Sequence, residues 1–199
     1  MRAALPKIYF IRHGETDWNA EGRLQGQRDI PLNDLGRVQA EEAGRMLAKL
    51  HPQPDDLDWL VSPLGRTQET ARLARAAMGL GDAYYKLDER LKELTFGTWE
   101  GLTWPEVRKH DPAGARGRER DKWNYVPPGG ENYAMLCERI VPVLADLRRD
   151  TVFVSHGGVA RGFMTLIGGA KKHIAVGEDI WQGKVLVFDS GQSRWEPKA

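Results

Sequence analysis

The sequence is short of the features that place many chains in a class at once. It has one cysteine, Cys137, in 199 residues. An intrachain disulfide and a Cys-based metal site are therefore both excluded. The neighbours of Cys137, "NYAMLCERIV", read as the buried side of a helix, so the thiol is expected to act as a small core hydrophobe. An excess of one charge is missing too, with 29 basic residues against 28 acidic ones. General affinity for nucleic acid or an acidic membrane shows as a basic excess. No apolar run approaches the roughly 20 residues of a membrane span, and "MRAALPKIYF" has no signal-peptide core. A soluble cytoplasmic protein is the expectation. No internal repeat or low-complexity tract is evident.

What is present is enough for a packed core: 41% of residues are hydrophobic and 29% charged, at a length that suits one domain with an insertion. Ile8 to Ile11 reads as a buried strand, apolar without alternation. Leu35, Val38, Ala43, Met46, Leu47 and Leu50 recur at helical spacing behind Asn33 as N-cap. Trp59 to Val61 is a second strand, with Ser62-Pro63 as the start of a helix running to Met78 and stopped by Gly79. "AYYKL" is read as a third strand. A helix spans 132–149, which Pro142 should bend or interrupt. "TVFVSHGG" is another buried strand with a helix behind it through Ile167, and Lys184 to Asp189 is read as the last strand. Strands alternating with helices predict an α/β domain with a mostly parallel sheet. The Gly-, Pro- and charge-rich stretch 93–131 breaks that rhythm and reads as an insertion over one edge of the sheet.

Two strand ends are alike. "YFIRHGE" and "VFVSHGG" each run from an apolar strand through one polar residue into His-Gly. In an open α/β sheet, ligands bind outside the carboxyl ends of the strands. Parallel neighbours would thus bring His13 and His156 into one crevice, and "LVSPLGRTQ" places Arg66 near the same edge. Arg12, His13, Arg66 and His156 supply cations and donors, so the expected ligand is an anion with several oxygens. Guanidinium forks match phosphate. Gly157-Gly158 at a helix start would add backbone N–H groups. Positive neighbours lower a histidine pKa and keep a ring nitrogen free to attack phosphorus. A phosphohistidine would follow, then hydrolysis by water. The departing alkoxide needs an acid, and a carboxyl beside a phosphate dianion can serve.

These residues resemble the histidine phosphatase superfamily, in the branch of the cofactor-dependent phosphoglycerate mutases and related phosphatases. "RHGETDWN", "GRLQGQRDIPLNDLG", "SPLGRTQETA", "LKELTFGTWEG", "PPGGEN" and "VSHGGVAR" stand in the family's order and spacing over most of the chain. The resemblance implies a three-layer α/β/α sandwich with a mostly parallel central sheet and an insertion capping the active site. It implies one domain over 1–199, with the cap at about 93–131. His13 would be the phosphorylated nucleophile, Arg12, Arg66 and His156 would bind and stabilise the phosphoryl group, and Glu93 would be the proton donor and acceptor. Asn19, Gln25, Gly26 and Gly157 would line the substrate phosphate pocket. Glu15, although close to His13, matches a structural position. No cofactor and no metal is implied. The five histidines form no His-x-x-His or His-Glu-x-x-His pair, and fixed cations would replace Mg²⁺.

The expected activity is that of a metal-independent phosphomonoesterase acting on a small phosphorylated metabolite. The alternative is a 2,3-bisphosphoglycerate-dependent phosphoglycerate mutase, in which the phosphoryl group returns to the same compound. The length and "LTFGTWEG" resemble the phosphatases more. A non-enzymatic phospho-ligand binder on this fold would be expected to lack a catalytic group, and none is missing. The basic run Arg116, Arg118, Arg120 and Lys122 reads as a solvated helix with tryptophans packed beneath it; the competing reading is a lid that holds a second acidic group or stacks on an aromatic substrate such as a nucleoside phosphate. No nucleic acid or membrane partner is expected, and a homodimer is left open.

Overall fold

The computed structural model describes residues 5–81 and 85–198. In chain order the elements are β1 (Ile8–Arg12), α1 (Asp17–Ala20), α2 (Asp34–Leu50), β2 (Asp58–Val61), α3 (Gly65–Ala77), β3 (Lys86–Leu87), α4 (Trp104–His110), α5 (Pro112–Arg120), α6 (Tyr133–Ala145), β4 (Thr151–Ser155), α7 (Gly157–Leu166), α8 (Lys172–Ala175), β5 (Val185–Asp189) and β6 (Gln192–Glu196). The strands form one sheet in the order β3-β2-β4-β1-β5-β6. β1, β2, β3 and β4 run parallel, while β5 and β6 are antiparallel to their neighbours. This is the expected α/β fold with a mostly parallel sheet.

Alternation along the strands divides the core in two. Ile8 and Phe10, Phe153, and Leu186 and Phe188 face α6 and α7. Tyr9 and Ile11, Val152 and Val154, and Val185 and Val187 face α2 and α3. Both faces are covered, which is why these strands read as unbroken apolar runs. Phe163 of α7 meets Phe10 and Phe153 edge-on, with ring centroids 5.3 and 4.9 Å apart. Cys137 is buried on α6 in the same cluster, as expected.

Several elements differ from the sequence expectation. On α2 the buried stripe is Gly36, Ala40, Ala43, Gly44 and Leu47, whereas Leu35 and Val38 are exposed. The cause is close packing. A Cβ on Gly44 would lie 2.2 Å from the carbonyl oxygen of Ala74 on α3, and one on Gly36 would lie 2.1 Å from that of Glu15. Small residues face inward, and the larger apolar ones are left outside. Helix α3 begins at Gly65, not at Ser62-Pro63, because the Ser62 N–H still donates to Val154 O (3.0 Å). Helix α6 ends at Ala145 and contains Pro142, which lies in its last turn. Of "AYYKL", Lys86 and Leu87 form β3, while Ala83 and Tyr84 lie outside the described residues.

Lys184 to Asp189 does not end the sheet, since β6 follows through a two-residue turn. Ser190 and Gly191 both have positive φ, 51° and 78°, the geometry that suits a tight hairpin. The stretch 93–131 forms α4, α5 and a short 3₁₀ turn at Gly97–Trp99. Leu24, Trp99, Val107 and Ala115 give it a small core of its own. Leu24 N and Leu24 O bond the backbone of Leu102 and Gly101, which seats the stretch on the loop after α1.

Candidate active site

The register of β1, β4 and β2 positions the site. Arg12 pairs with Ser155, and Val154 pairs with both Ile11 and Val61. The next residues of each strand therefore emerge together at one edge: His13, His156 and Ser62. The two imidazoles meet edge-to-face, with ring centroids 5.2 Å apart, and both are buried. The convergence expected of the two His-Gly strand ends is observed.

The hydrogen-bond partners fix which nitrogen of each ring carries the proton. His13 Nδ1 lies 2.8 Å from Gly14 O, and a carbonyl only accepts, so Nδ1 carries the hydrogen and Nε2 keeps its lone pair. His156 Nδ1 lies 3.3 Å from Arg66 Nη2. A guanidinium only donates, so this nitrogen accepts and Nε2–H is directed at Ser62 Oγ, 2.7 Å away. Burial, then the charges of Arg66 and Arg12, hold the His13 pKa well below its ordinary value. Burial followed by Arg66 does the same to His156. Both rings are neutral at neutral pH, and His13 presents a bare Nε2.

The arginines are held by backbone rather than by carboxylates. Arg66 is 1% exposed and donates to Arg28 O (2.6 Å) and Gly26 O (2.9 Å). Its nearest carboxylate, Asp29, is 3.9 Å away and largely exposed. Arg12 donates through Nη1 to Ile180 O (2.7 Å). The Nε atoms of both are buried without a partner. Burial and then the charge of Arg161 lower the Arg12 pKa to about 10. Two guanidiniums kept close, with donors unspent, make a ready receptor for a multivalent oxyanion.

Glu93 sits beside them. Its Oε2 accepts from Gly158 N and its Oε1 from Leu94 N, each at 2.9 Å. A Cβ on Gly158 would lie 2.3 Å from Glu93 Oε1, so glycine at this position makes room for the carboxylate. This corrects part of the sequence reading: the Gly158 N–H is spent on Glu93 and does not point freely at an anion. Glycine is also required at position 14, where a Cβ would lie 2.0 Å from Gly36 O. The residue after His13 is where the chain passes against α2.

Asn19 caps α1 reciprocally with Thr16, and its Oδ1 accepts from Gln182 Nε2 (3.2 Å). The same Gln182 nitrogen donates to His13 O (3.1 Å). Gln25 is buried with Oε1 unpartnered. Gly26 has φ +53°, and a Cβ there would strike the Glu100 carboxylate. Glu15 supports α2, its Oε1 accepting from Asn33 Nδ2 (3.0 Å), in keeping with a structural position. Gly157 opens α7 beside the guanidiniums of Arg12 and Arg161.

The chain belongs to branch 1 of the histidine phosphatase superfamily. The family model matches residues 8–198. An acid phosphatase of Mycobacterium tuberculosis is 35% identical over 164 residues, covering 80% of this chain and 74% of its own. A probable phosphoglycerate mutase of an Enterobacter species is 35% identical over 172 residues, covering 81% and 75%. The structure of a mycobacterial glucosyl-3-phosphoglycerate phosphatase in complex with VO3 superposes with a TM-score of 0.79 at 30% identity, covering 96% of each chain. As a histidine phosphatase the chain is a phosphatase-type hydrolase for which the family implies a small phosphorylated substrate.

Sequence reading missed several residues of this edge. Ser62 was read as a helix start, and its serine-proline context hides a hydroxyl aimed at His156. Gln182 bonds Asn19 and His13 from 163 and 169 residues away, Arg161 stands beside Gly157, and nothing local to either residue signals its place at the site. The basic run divides. Arg116 and Arg120 are exposed, as expected of a solvated helix, but Arg118 is 4% exposed. Its guanidinium lies 5.5 Å from the Phe96 ring centroid and 5.3 Å from that of Trp104. Lys122 is half-buried. Trp99 and Trp123 are buried against Tyr125 and Tyr133.

Proposed function

We propose that the chain is a metal-independent phosphomonoesterase acting through a phosphohistidine on a small phosphorylated metabolite, with the stretch 93–131 as its cap. The observation that carries this reading is the state of His13: a buried, neutral ring, its Nδ1–H bound to Gly14 O and its Nε2 bare, beside two arginines with unspent donors.

The chemistry follows in two steps. The Nε2 lone pair of His13 forms a bond to phosphorus as the ester P–O bond breaks. Arg12, Arg66 and His156 stabilise the charge on the non-bridging oxygens. The leaving oxygen takes a proton from the Glu93 carboxyl. Water then attacks phosphorus, giving its proton to the Glu93 carboxylate, and the N–P bond breaks to return the electron pair to Nε2. Asn19, Gln25, Gly26 and Gly157 line the phosphoryl pocket in this reading. The fixed cations do what a divalent metal does in other phosphoryl transfers.

The test is phosphate release across a panel of phosphomonoesters, with 3-phosphoglycerate to 2-phosphoglycerate conversion followed in parallel. Release by the wild type, lost in a folded His13→Ala variant, is expected. Fast isomerisation with little release would make the chain a mutase. Turnover by His13→Ala would remove His13 as the nucleophile.

A further inference from the structure

Glu93 stands on a piece of chain that belongs to no helix or strand. After the 3₁₀ turn Glu89–Leu91, residues 92–96 run as irregular backbone. Four consecutive carbonyls here accept from side chains of other elements. Arg90 O accepts from Arg139 Nη1, and Leu91 O from Ser155 Oγ (2.7 Å). Lys92 O accepts from Arg139 Nη2 (2.7 Å), and Glu93 O from both Arg139 Nη2 (3.2 Å) and Gln27 Nε2 (3.0 Å). Arg139 serves three of the four. Carbonyls shielded from water outside a helix or ladder need such partners, and one guanidinium fork can reach several at once.

Arg139 is itself fixed. It projects from α6, which Leu136, Cys137, Ile140 and Val143 anchor in the core. Its Nε and Nη2 meet the two carboxylate oxygens of Glu131, each at 3.2 Å. Glu131 in turn brackets Thr95: Thr95 N donates to Glu131 Oε2 (3.2 Å), and Glu131 N donates to Thr95 O (2.8 Å). The other end of Glu93 is tied to α7, where its Oε2 accepts from Gly158 N. Helices α6 and α7 pack closely, with Ile140 Cδ1 2.9 Å from the place a Cβ on Gly162 would take. The backbone of Glu93 thus hangs from one helix and its carboxylate from the other. Arg12 and Arg66 each keep a buried Nε without a partner. Arg139 instead has Nε and Nη2 on protein acceptors and its charge met by Glu131, which suits a scaffold and not a phosphate ligand.

We propose that Arg139 is the positioning residue of Glu93: by gathering the carbonyls of Arg90, Lys92 and Glu93 on one guanidinium, it sets where the Glu93 carboxylate stands. Arg139 does not touch the substrate and acts through Glu93. The inference rests on the phosphatase reading above for what Glu93 does in the site, not for what holds it there. A general acid must come within hydrogen-bond reach of the leaving oxygen. A misplacement of about 1 Å caused by a change far from the chemistry can cost on the order of 10²-fold. Lysine cannot replace the fork, because its ammonium is a single point of charge and cannot span carbonyls on both sides of Leu91.

The test has a spectroscopic arm that does not depend on turnover. Gly158 N–H and Leu94 N–H both donate to the Glu93 carboxylate, and Glu93→Ala gives their ¹H–¹⁵N shifts with that acceptor gone. In Arg139→Ala both amides are expected to move toward the Glu93→Ala positions. Arg139→Lys keeps a charge opposite Glu131 and carries the same comparison if Arg139→Ala does not fold. Leu147→Ala, a core truncation beyond the end of α6, should lower stability and leave both amides in place. In the kinetic arm, either Arg139 variant is expected to lose on the order of ten- to a hundredfold in kcat on an alkyl phosphate, with KM held. p-Nitrophenyl phosphate, whose leaving group needs no acid, should lose far less. Amides at their wild-type positions in the folded variants would overturn the proposal, and so would equal movement in Leu147→Ala. Displaced amides with equal losses on the two esters would support Arg139 as what places Glu93 and count against Glu93 as the acid. Absence of phosphate release by the wild type would count against the phosphatase reading alone, because the spectra would still decide the role of Arg139.

Discussion

Ser62 Oγ lies 2.7 Å from His156 Nε2, with both residues fully buried. The contact joins the ends of β2 and β4, whose pairing sets Ser62 level with Ser155. Since Arg66 occupies His156 Nδ1 as a donor, the hydroxyl is what receives the proton-bearing Nε2. Ser62→Ala leaves that N–H buried and unpaired, a loss of roughly 1–3 kcal/mol. It also frees the ring to adopt the other tautomer. The expected result is a fall in kcat/KM of about tenfold or more with the fold retained, read together with ¹H–¹⁵N spectra of the imidazole nitrogens. An unchanged tautomer signature alongside lost activity would mean that Ser62 acts by packing and not by positioning His156.

The contrast between Ser62 and His13 shows what could be read from the chain alone. His13 and His156 each end an apolar strand, and buried parallel strands put such ends at one edge, so local pattern plus sheet topology was sufficient. Helix boundaries at Asn33, Gly79 and Asn132 were legible for the same reason: caps are local chemistry. Ser62, Arg161 and Gln182 were not legible, because their roles depend on which elements become neighbours. The face of α2 was misjudged where glycine and alanine do the packing, since close approach of two helices rewards small residues and hydrophobicity counts do not. β6 escaped notice in "QSRWE" because an edge strand with one half-wet face has no apolar run, although Ser190-Gly191 between two extended segments was the available signal.

Acid should weaken the fold through the two histidines. In the folded chain both stay neutral well below the ordinary histidine pKa, held there chiefly by burial. The unfolded chain takes up those protons near pH 6.5. Below that value the unfolded state therefore binds more protons, and stability drops as pH falls, until the depressed folded pKa is reached. Each residue contributes a slope of up to about 1.4 kcal/mol per pH unit in that window. Urea midpoints between pH 7.5 and 4.5 should decline more steeply for the wild type than for His13→Asn. Parallel curves would show that His13 titrates alike in both states.

Chelation should leave the activity unchanged. In the proposed mechanism Arg12 and Arg66 compensate phosphoryl charge as a divalent ion would, and Arg66 is locked to Gly26 O and Arg28 O. Phosphate release after dialysis against EDTA is expected to match the untreated enzyme. Loss of activity restored by added Mg²⁺ would mean that two guanidiniums are too few.

Glu93 and Gly158 provide the sharpest separation of roles. The Glu93 carboxylate reaches the site because position 158 has no side chain: Oε2 accepts from Gly158 N, and an added Cβ would lie 2.3 Å from Oε1 and 2.8 Å from Leu94 Cδ2. Gly158→Ala should therefore displace the carboxylate while leaving His13, Arg12 and Arg66 in place. If Glu93 donates the proton to the departing oxygen, the loss must depend on how much that oxygen needs one. An alkyl phosphate should lose about 10²- to 10⁴-fold in the first step, the usual range for a general acid. p-Nitrophenyl phosphate, whose leaving group departs without help, should lose far less. Glu93→Gln should show the same pattern with the space restored. Equal losses on both substrates, in both variants, would assign Glu93 to holding the start of α7 and would require another acid.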